Sequence, residues 1–185
     1  MIYFMRHGQD DENYIGGWSD VELIQSGIND AELVGEWINN NLNIKKIICS
    51  DVRRAVHTSL IINKYLNVPL EESSLFREQS KGDLNGMLKV TAKELYPEYF
   101  KDVKVTTVYP NGECLKDLYN KVKQYISKLS SIEDDTLIVT HRGYINMLYY
   151  ILNDIPLDMK KERFDVVTAS VHEYDKENNT IRRIK

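Results

Sequence analysis

Short apolar runs alternate with longer amphipathic stretches along the whole chain, and that alternation constrains the fold more than any other property of the sequence. Apolar runs of about five residues suit buried strands, and apolar residues recurring every three or four positions suit helices packed on a sheet. Together they favour an α/β domain over a helical bundle or a β-sandwich. Residues 2–5 read as the first strand, and Ser26 is placed to cap a helix with Ala31, Val34, Trp37 and Ile38 on one face. Ile44 to Cys49 reads as a second strand, Ser50-Asp51 as the start of a helix running to Leu66, and Pro69 to Phe76 as a third strand-like run. Residues 81–110 are less regular, with a helix at Lys89 to Tyr96, the character of a lid or specificity segment. A long helix spans Glu113 to Leu129, Thr136 to Thr140 is the clearest strand, and a helix follows at Tyr144 to Leu152. Val166 to Tyr174 with Thr180 to Ile184 reads as a terminal hairpin turned at Asn178-Asn179.

Bulk properties narrow the setting. A chain of 185 residues that is 42% hydrophobic and 28% charged can bury one sizeable core, and residues 1–185 are expected to form a single domain. The formal net charge of −4 argues against nucleic-acid binding through a general basic surface, so any anion site must be local. Cys49 and Cys114 are far apart in sequence and support neither a disulfide framework nor a cysteine-rich metal site. Arg6 and His7 interrupt the first apolar run after five residues, so no signal peptide is expected, no run is long enough for a membrane span, and the expected location is the cytoplasm.

Reactive groups then stand at three strand ends. His7, flanked by Arg6 and Gly8, follows the first strand; Arg54 lies one turn into the helix after the second; His141 follows the strand at 136–140. In a parallel-type sheet the carboxyl ends of the strands share one edge, so these groups can converge on one crevice. Two guanidinium forks and two imidazoles facing one point suit a phosphate dianion. Singly, each residue has a plainer reading: Arg54 as a solvated helix residue, and His141 as a hydrogen-bonded residue at a strand end.

The order of motifs is more specific than any one of them. Arg6-His7-Gly8-Gln9 with Asn13 and Gly17-Trp18-Ser19-Asp20, then Ser50-Asp51-Val52-Arg53-Arg54-Ala55 with Thr58, resembles the histidine phosphatase superfamily, which includes the cofactor-dependent phosphoglycerate mutases. Leu75-Phe76-Arg77-Glu78 with Gly82 and Gly86, Pro110-Asn111-Gly112-Glu113, and Val139-Thr140-His141-Arg142-Gly143 continue the likeness in the family's order. The resemblance implies a three-layer α/β/α fold with a mostly parallel central sheet. It also implies a phosphate pocket of Arg6, His7, Arg54 and His141, with Gly8, Asn13, Gly17 and Arg142 as candidate substrate contacts. His7 would attack phosphorus in its neutral form, His141 would serve as imidazolium, and Glu78 would protonate the leaving alkoxide and then activate water. No metal or other cofactor is implied, since the arginines supply the positive charge.

Asp51 and Thr58 read as structural, the first capping a helix and the second bonding its backbone. Four departures from the family's pattern stand out: Asp10 in place of a small hydroxyl residue, Arg142 in place of glycine, Asn85 in place of glutamate and Cys114 in place of serine. Asp10-Asp11-Glu12 forms an acidic patch that disfavours heavily charged substrates, whereas Arg142 could bind a second anionic group. The segment between Glu78 and Pro110 looks shorter than in the mutases, which favours water as acceptor. The expected activity is therefore a metal-independent phosphomonoesterase acting on a small phosphorylated metabolite, with no nucleic-acid or membrane partner. Alternatives are a phosphoglycerate mutase, a protein phosphohistidine phosphatase and a non-catalytic phospholigand-binding module.

Overall fold

Strand residues project alternately to the two faces of a sheet, and strands apolar on both faces must be covered on both sides. The computed structural model, which describes residues 1–160 and 163–185, satisfies that requirement with three layers. Strands β1 (Ile2–Arg6), β2 (Lys46–Ser50), β3 (Leu70–Ser73), β4 (Thr136–Thr140), β5 (Val171–Asp175) and β6 (Thr180–Arg183) form one sheet in the order β3-β2-β4-β1-β5-β6. The pairs β3–β2, β2–β4 and β4–β1 are parallel, and β1–β5 and β5–β6 are antiparallel. Ile2, Phe4, Ile48 and Ile138 pack with Leu118, Val122, Ile145 and Leu148, from helices α4 (Leu115–Leu129) and α5 (Arg142–Leu152). On the opposite face Met5, Ile47, Leu137 and Val139 pack with Val34, Ile38 and Ile62, from helices α1 (Gln25–Asn41) and α2 (Arg53–Leu66). A short helix, α3 (Lys89–Leu95), lies in the irregular segment. Among the described residues no helix is long and apolar enough to cross a membrane.

Local chemistry explains where the elements differ from expectation. Ser26 does not cap α1: Ile24 is the N-cap and offers no side-chain bond, and the Ser26 hydroxyl donates to Gln9 Oε1 at 3.1 Å. The helix instead docks onto the loop after β1, where the Ile24 amide donates to the Gln9 carbonyl and a Cβ on Gly27 would overlap Gln9 backbone. Asp51 does not cap α2 either. Its carboxylate takes a two-bond fork from Arg77 at 2.6 and 2.5 Å, a stronger charge-assisted pairing than a cap. The third strand stops at Ser73, whose hydroxyl accepts from the Leu75 amide and opens a single 3₁₀ turn at Ser74–Phe76. Helix α4 starts at Leu115 because Cys114 and Asp117 form a reciprocal capping box, the Asp117 carboxylate accepting from the Cys114 amide at 2.8 Å. The β5–β6 hairpin turns where expected, with Asn179 in the left-handed region at φ 54°.

The expected strand over Val166 to Tyr174 begins only at Val171, because residues 166–170 form a loop that serves the tip of β1. The Val166 carbonyl accepts from Arg6 Nη1 at 3.0 Å, the Ser170 carbonyl from the Arg6 amide, and the His7 carbonyl from the Ala169 amide. His172 anchors this loop from β5. The Ser170 hydroxyl donates to the Val167 carbonyl, so it accepts from His172 Nε2, and His172 Nδ1 accepts from the Tyr149 hydroxyl at 2.9 Å. Burial, reinforced by Arg183, pushes the His172 pKa down to about 4, so the folded protein holds this ring neutral. An unfolded histidine takes up its proton near pH 6.5, so stability is lost as pH falls from about 6.5 towards the folded value, at ~1.4 kcal/mol per pH unit. Urea melts across this range are expected to show a shallower acid loss for His172→Gln than for the wild type. Equal slopes would contradict the neutral buried ring.

Candidate active site

The register of the sheet builds the site. Arg6 pairs with Thr140 across β1 and β4, so the next residues, His7 and His141, leave neighbouring strand tips on the same edge. The His7 amide donates to the Thr140 carbonyl at 2.9 Å, and the two imidazole centroids lie 5.1 Å apart. β2, paired on the other side of β4, ends at Ser50 and leads into α2, whose second residue is Arg54. His7, Arg54 and, from the segment after β4, Arg142 and Gly143 line a cavity of about 650 Å³ at the carboxyl ends of the parallel strands, whereas His141 is fully buried and stands behind that lining, against Arg54.

Arg54 ties the centre together. It is 2% exposed, and its Nε donates to His7 Nε2 at 3.0 Å, its Nη2 to the Gly17 carbonyl at 2.9 Å and its Nη1 to the Ser19 hydroxyl at 3.3 Å. The same Nη2 lies 3.1 Å from His141 Nδ1. An arginine has only donors, so both facing ring nitrogens must be acceptors, and the network assigns the tautomers. His7 carries its proton on Nδ1, donated to the Gly8 carbonyl at 2.7 Å, and His141 carries its own on Nε2, donated to Ser50 Oγ at 2.8 Å.

Electrostatics holds both rings neutral in this state. His7 is pushed well below the ordinary histidine value, first by burial and then by Arg54 and Arg6. His141 shifts the same way, by burial, then Arg54, then His7. His141 is therefore held neutral here with Arg54 Nη2 on its Nδ1 lone pair, and the imidazolium expected of it requires that contact to be exchanged. Burial, followed by the nearby Arg142 charge, also pushes Arg6 down to about 10, and its buried Nε has no hydrogen-bond partner among the described residues. A buried guanidinium donor with no protein partner beside neutral imidazoles suits the binding of an anion.

Glu78 reaches the same cavity from the segment after β3. Its Oε2 accepts from the Gly143 amide at 2.9 Å, in the first turn of α5, and its Oε1 accepts from its neighbour, the Gln79 amide, at 2.9 Å. Thr58 plays the structural part expected of it, donating to the Arg54 carbonyl and accepting from the Gly8 amide at 3.0 Å.

The expected substrate contacts separate. Gly17, at φ 68°, lines the cavity and uses its carbonyl to orient Arg54. Gly8 stands behind His7, pressed so tightly on Gly27 of α1 that a Cβ would overlap the Gly27 carbonyl. It positions the imidazole and does not line the cavity. Arg142, the first residue of α5, lines the cavity, and its side chain makes no hydrogen bond or ion pair among the described residues. Asn13 is not among the cavity-lining residues: its side-chain amide donates to Asp11 Oδ1 at 2.9 Å in a separate surface depression. Ser50, Ser19 and Gly143 were not singled out as site residues. All three lie inside the motifs quoted above, but only the tertiary contacts show what they touch: Ser50 and Ser19 the His141 and Arg54 side chains, and the Gly143 amide the Glu78 carboxylate. The outer wall comes from the irregular segment, including Tyr99, Lys104 and Tyr109, and from Tyr150 and Lys160.

A sequence model of the histidine phosphatase superfamily (branch 1) matches residues 2–185. The chain belongs to that superfamily. Among its relatives, an uncharacterized phosphatase, PhoE, of Bacillus subtilis is 30% identical over 152 residues, covering 80% of this chain and 74% of that protein. A 2,3-bisphosphoglycerate-dependent phosphoglycerate mutase of Cytophaga hutchinsonii is 29% identical, covering 95% of this chain and 87% of that protein. The solved structure of the alpha-ribazole phosphatase of Shigella flexneri superposes with a TM-score of 0.82 at 20% identity, covering 99% of this chain and 94% of that one, a likeness of fold.

Gly143 offers a test of how this histidine phosphatase holds Glu78. Alanine favours a helix by about 1 kcal/mol over glycine, yet a Cβ here would overlap the Glu78 carboxylate. Gly143→Ala is expected to keep a cooperative thermal transition while phosphate-ester hydrolysis falls by about tenfold or more. Unchanged hydrolysis would show that the position of the Glu78 carboxylate is not critical.

Proposed function

We propose that the chain is a phosphomonoesterase that hydrolyses a small phosphorylated metabolite through a phosphohistidine on His7. The observation that carries this reading is the tautomer of His7: the Gly8 carbonyl fixes the proton on Nδ1, leaving the Nε2 lone pair directed at Arg54 on the cavity wall. A neutral imidazole with a fixed lone pair is a nucleophile that needs no deprotonation at neutral pH.

In the first step the phosphoryl oxygens take over the Arg54 Nε–H that His7 Nε2 accepts, the freed Nε2 lone pair bonds to phosphorus as the ester P–O bond breaks, and the Glu78 carboxylic acid gives its proton to the departing alkoxide. Arg6 and Arg54 bind the non-bridging oxygens, and as Arg54 Nη2 turns from His141 Nδ1 to the dianion, that nitrogen gains basicity, takes a proton from solvent and donates it to a phosphoryl oxygen. Nδ1–H stays on the Gly8 carbonyl, which supports the positive ring of the phosphohistidine. In the second step water attacks phosphorus, Glu78 takes its proton, the P–N bond breaks and His7 returns to its neutral form. The arginines provide the positive charge, so the reaction as drawn uses no metal ion and proceeds in EDTA.

Arg142 is read as the contact for a second anionic group on the substrate, since its guanidinium reaches the cavity without a partner among the described residues. The mutase reading differs only in the acceptor. Phosphatase ranks first because the segment between Glu78 and Pro110 offers only α3 and short turns to enclose the site, leaving water free to compete for the phosphohistidine.

A phosphate-release screen over small phosphate esters in EDTA tests the reading. Glu78→Gln is expected to slow alkyl phosphates far more than aryl phosphates, whose leaving groups need little protonation. Arg142→Gln is expected to raise KM mainly for esters bearing a second carboxylate or phosphate. Equal losses on alkyl and aryl esters would remove Glu78 as the acid, and isomerisation of a phosphoglycerate faster than phosphate release would favour the mutase.

A further inference from the structure

Asp10 stands at the heart of the site and not merely at its entrance. Its Oδ2 lies 3.4 Å from Arg54 Nε, the nitrogen that also donates to His7 Nε2 at 3.0 Å. The carboxylate is 18% exposed, lines the cavity, and supports the charged form of both Arg54 and Arg6. Its side chain makes no other hydrogen bond or ion pair among the described residues. Phosphorus must approach His7 Nε2 along the direction now taken by Arg54 Nε, so the phosphoryl oxygens come to the guanidinium that Asp10 already neutralises.

We propose that Asp10 is a resident counter-ion that competes with phosphate for Arg54, weakening the hold on inorganic phosphate and releasing the product. This rests on the phosphatase reading of the same pocket. A carboxylate this close repels a non-covalent phosphate dianion, and the repulsion is strong where water is scarce. In the phosphohistidine the imidazole gains a positive charge beside Asp10, so the covalent intermediate feels less net repulsion than the product complex. Asp10 therefore raises the free energy of bound phosphate selectively. Tight binding of the ground state adds nothing to turnover once the site is occupied, so loosening it favours release.

The experiment is calorimetric titration of inorganic phosphate into the wild type, Asp10→Asn and Asp10→Glu, with phosphate inhibition of aryl phosphate hydrolysis measured alongside. Asp10→Asn is expected to bind phosphate about tenfold or more tightly, with a matching fall in its inhibition constant and no gain in kcat. Asp10→Glu, which keeps the charge, is expected to remain weak. In phosphate-free buffer Asp10→Asn leaves Arg54 without its counter-ion, so its Tm should fall, and added phosphate should raise it further than it raises that of the wild type. Phosphate binding that is unchanged or weaker in Asp10→Asn would overturn the proposal while leaving the phosphatase reading intact. Failure of every form to bind phosphate would overturn both.

Discussion

The buried Arg54 guanidinium is the constraint on which the rest of the site depends. Removing so large a cation from water is costly unless its donors are met, and here they are met by His7, His141, Gly17 and Ser19, with Asp10 as counter-ion. Each of those acceptors is thereby fixed. The two rings are set in complementary tautomers, one with Nδ1–H and the other with Nε2–H, and both are kept neutral by burial beside a permanent charge. The pocket suits an anion: Arg6 Nε has no protein partner among the described residues, and the Arg54 N–H now donated to His7 Nε2 can pass to an incoming phosphoryl oxygen.

The scaffold serves that arrangement from behind. Parallel pairing of β4 with both β1 and β2 brings His141 between His7 and Ser50, and apolar packing on both faces of the sheet holds the register. Gly8 presses backbone to backbone on Gly27, leaving no room for a Cβ, and a Cβ on Gly143 would displace the Glu78 carboxylate. The loop at 166–170, pinned by His172, fixes Arg6 from the opposite side. These contacts lie outside the cavity lining or at its edge, yet they decide where the lone pairs and charges point.

Much of this was legible in the sequence where a residue type and its period agreed. The apolar strands, the three strand-end groups and the Glu78 segment were recoverable because alternation, helical spacing and motif order all pointed the same way. Capping was harder to read. Ser26 and Asp51 look like helix caps, but tertiary partners, Gln9 and Arg77, won their side chains. Gly8 and Asn13 were expected at the phosphate and stand away from the cavity lining, since a short motif gives residue types without directions. The charge state of His141 depends on burial and on Arg54, neither of which a sequence displays. Asp10 was visible as a departure from pattern, but its contact with Arg54 required the fold.

Turnover by this route requires that His7 Nε2 become covalently bonded to phosphorus. The most direct measurement is to mix the protein with an aryl phosphate, quench in alkali within the turnover time, and map the phosphorylated residue by mass spectrometry, using Glu78→Gln to slow breakdown of the intermediate. A phosphoryl group is expected on His7 that appears and decays at rates compatible with turnover and is absent from His7→Ala. A phosphoryl group on another residue, or full turnover in His7→Ala, would contradict it.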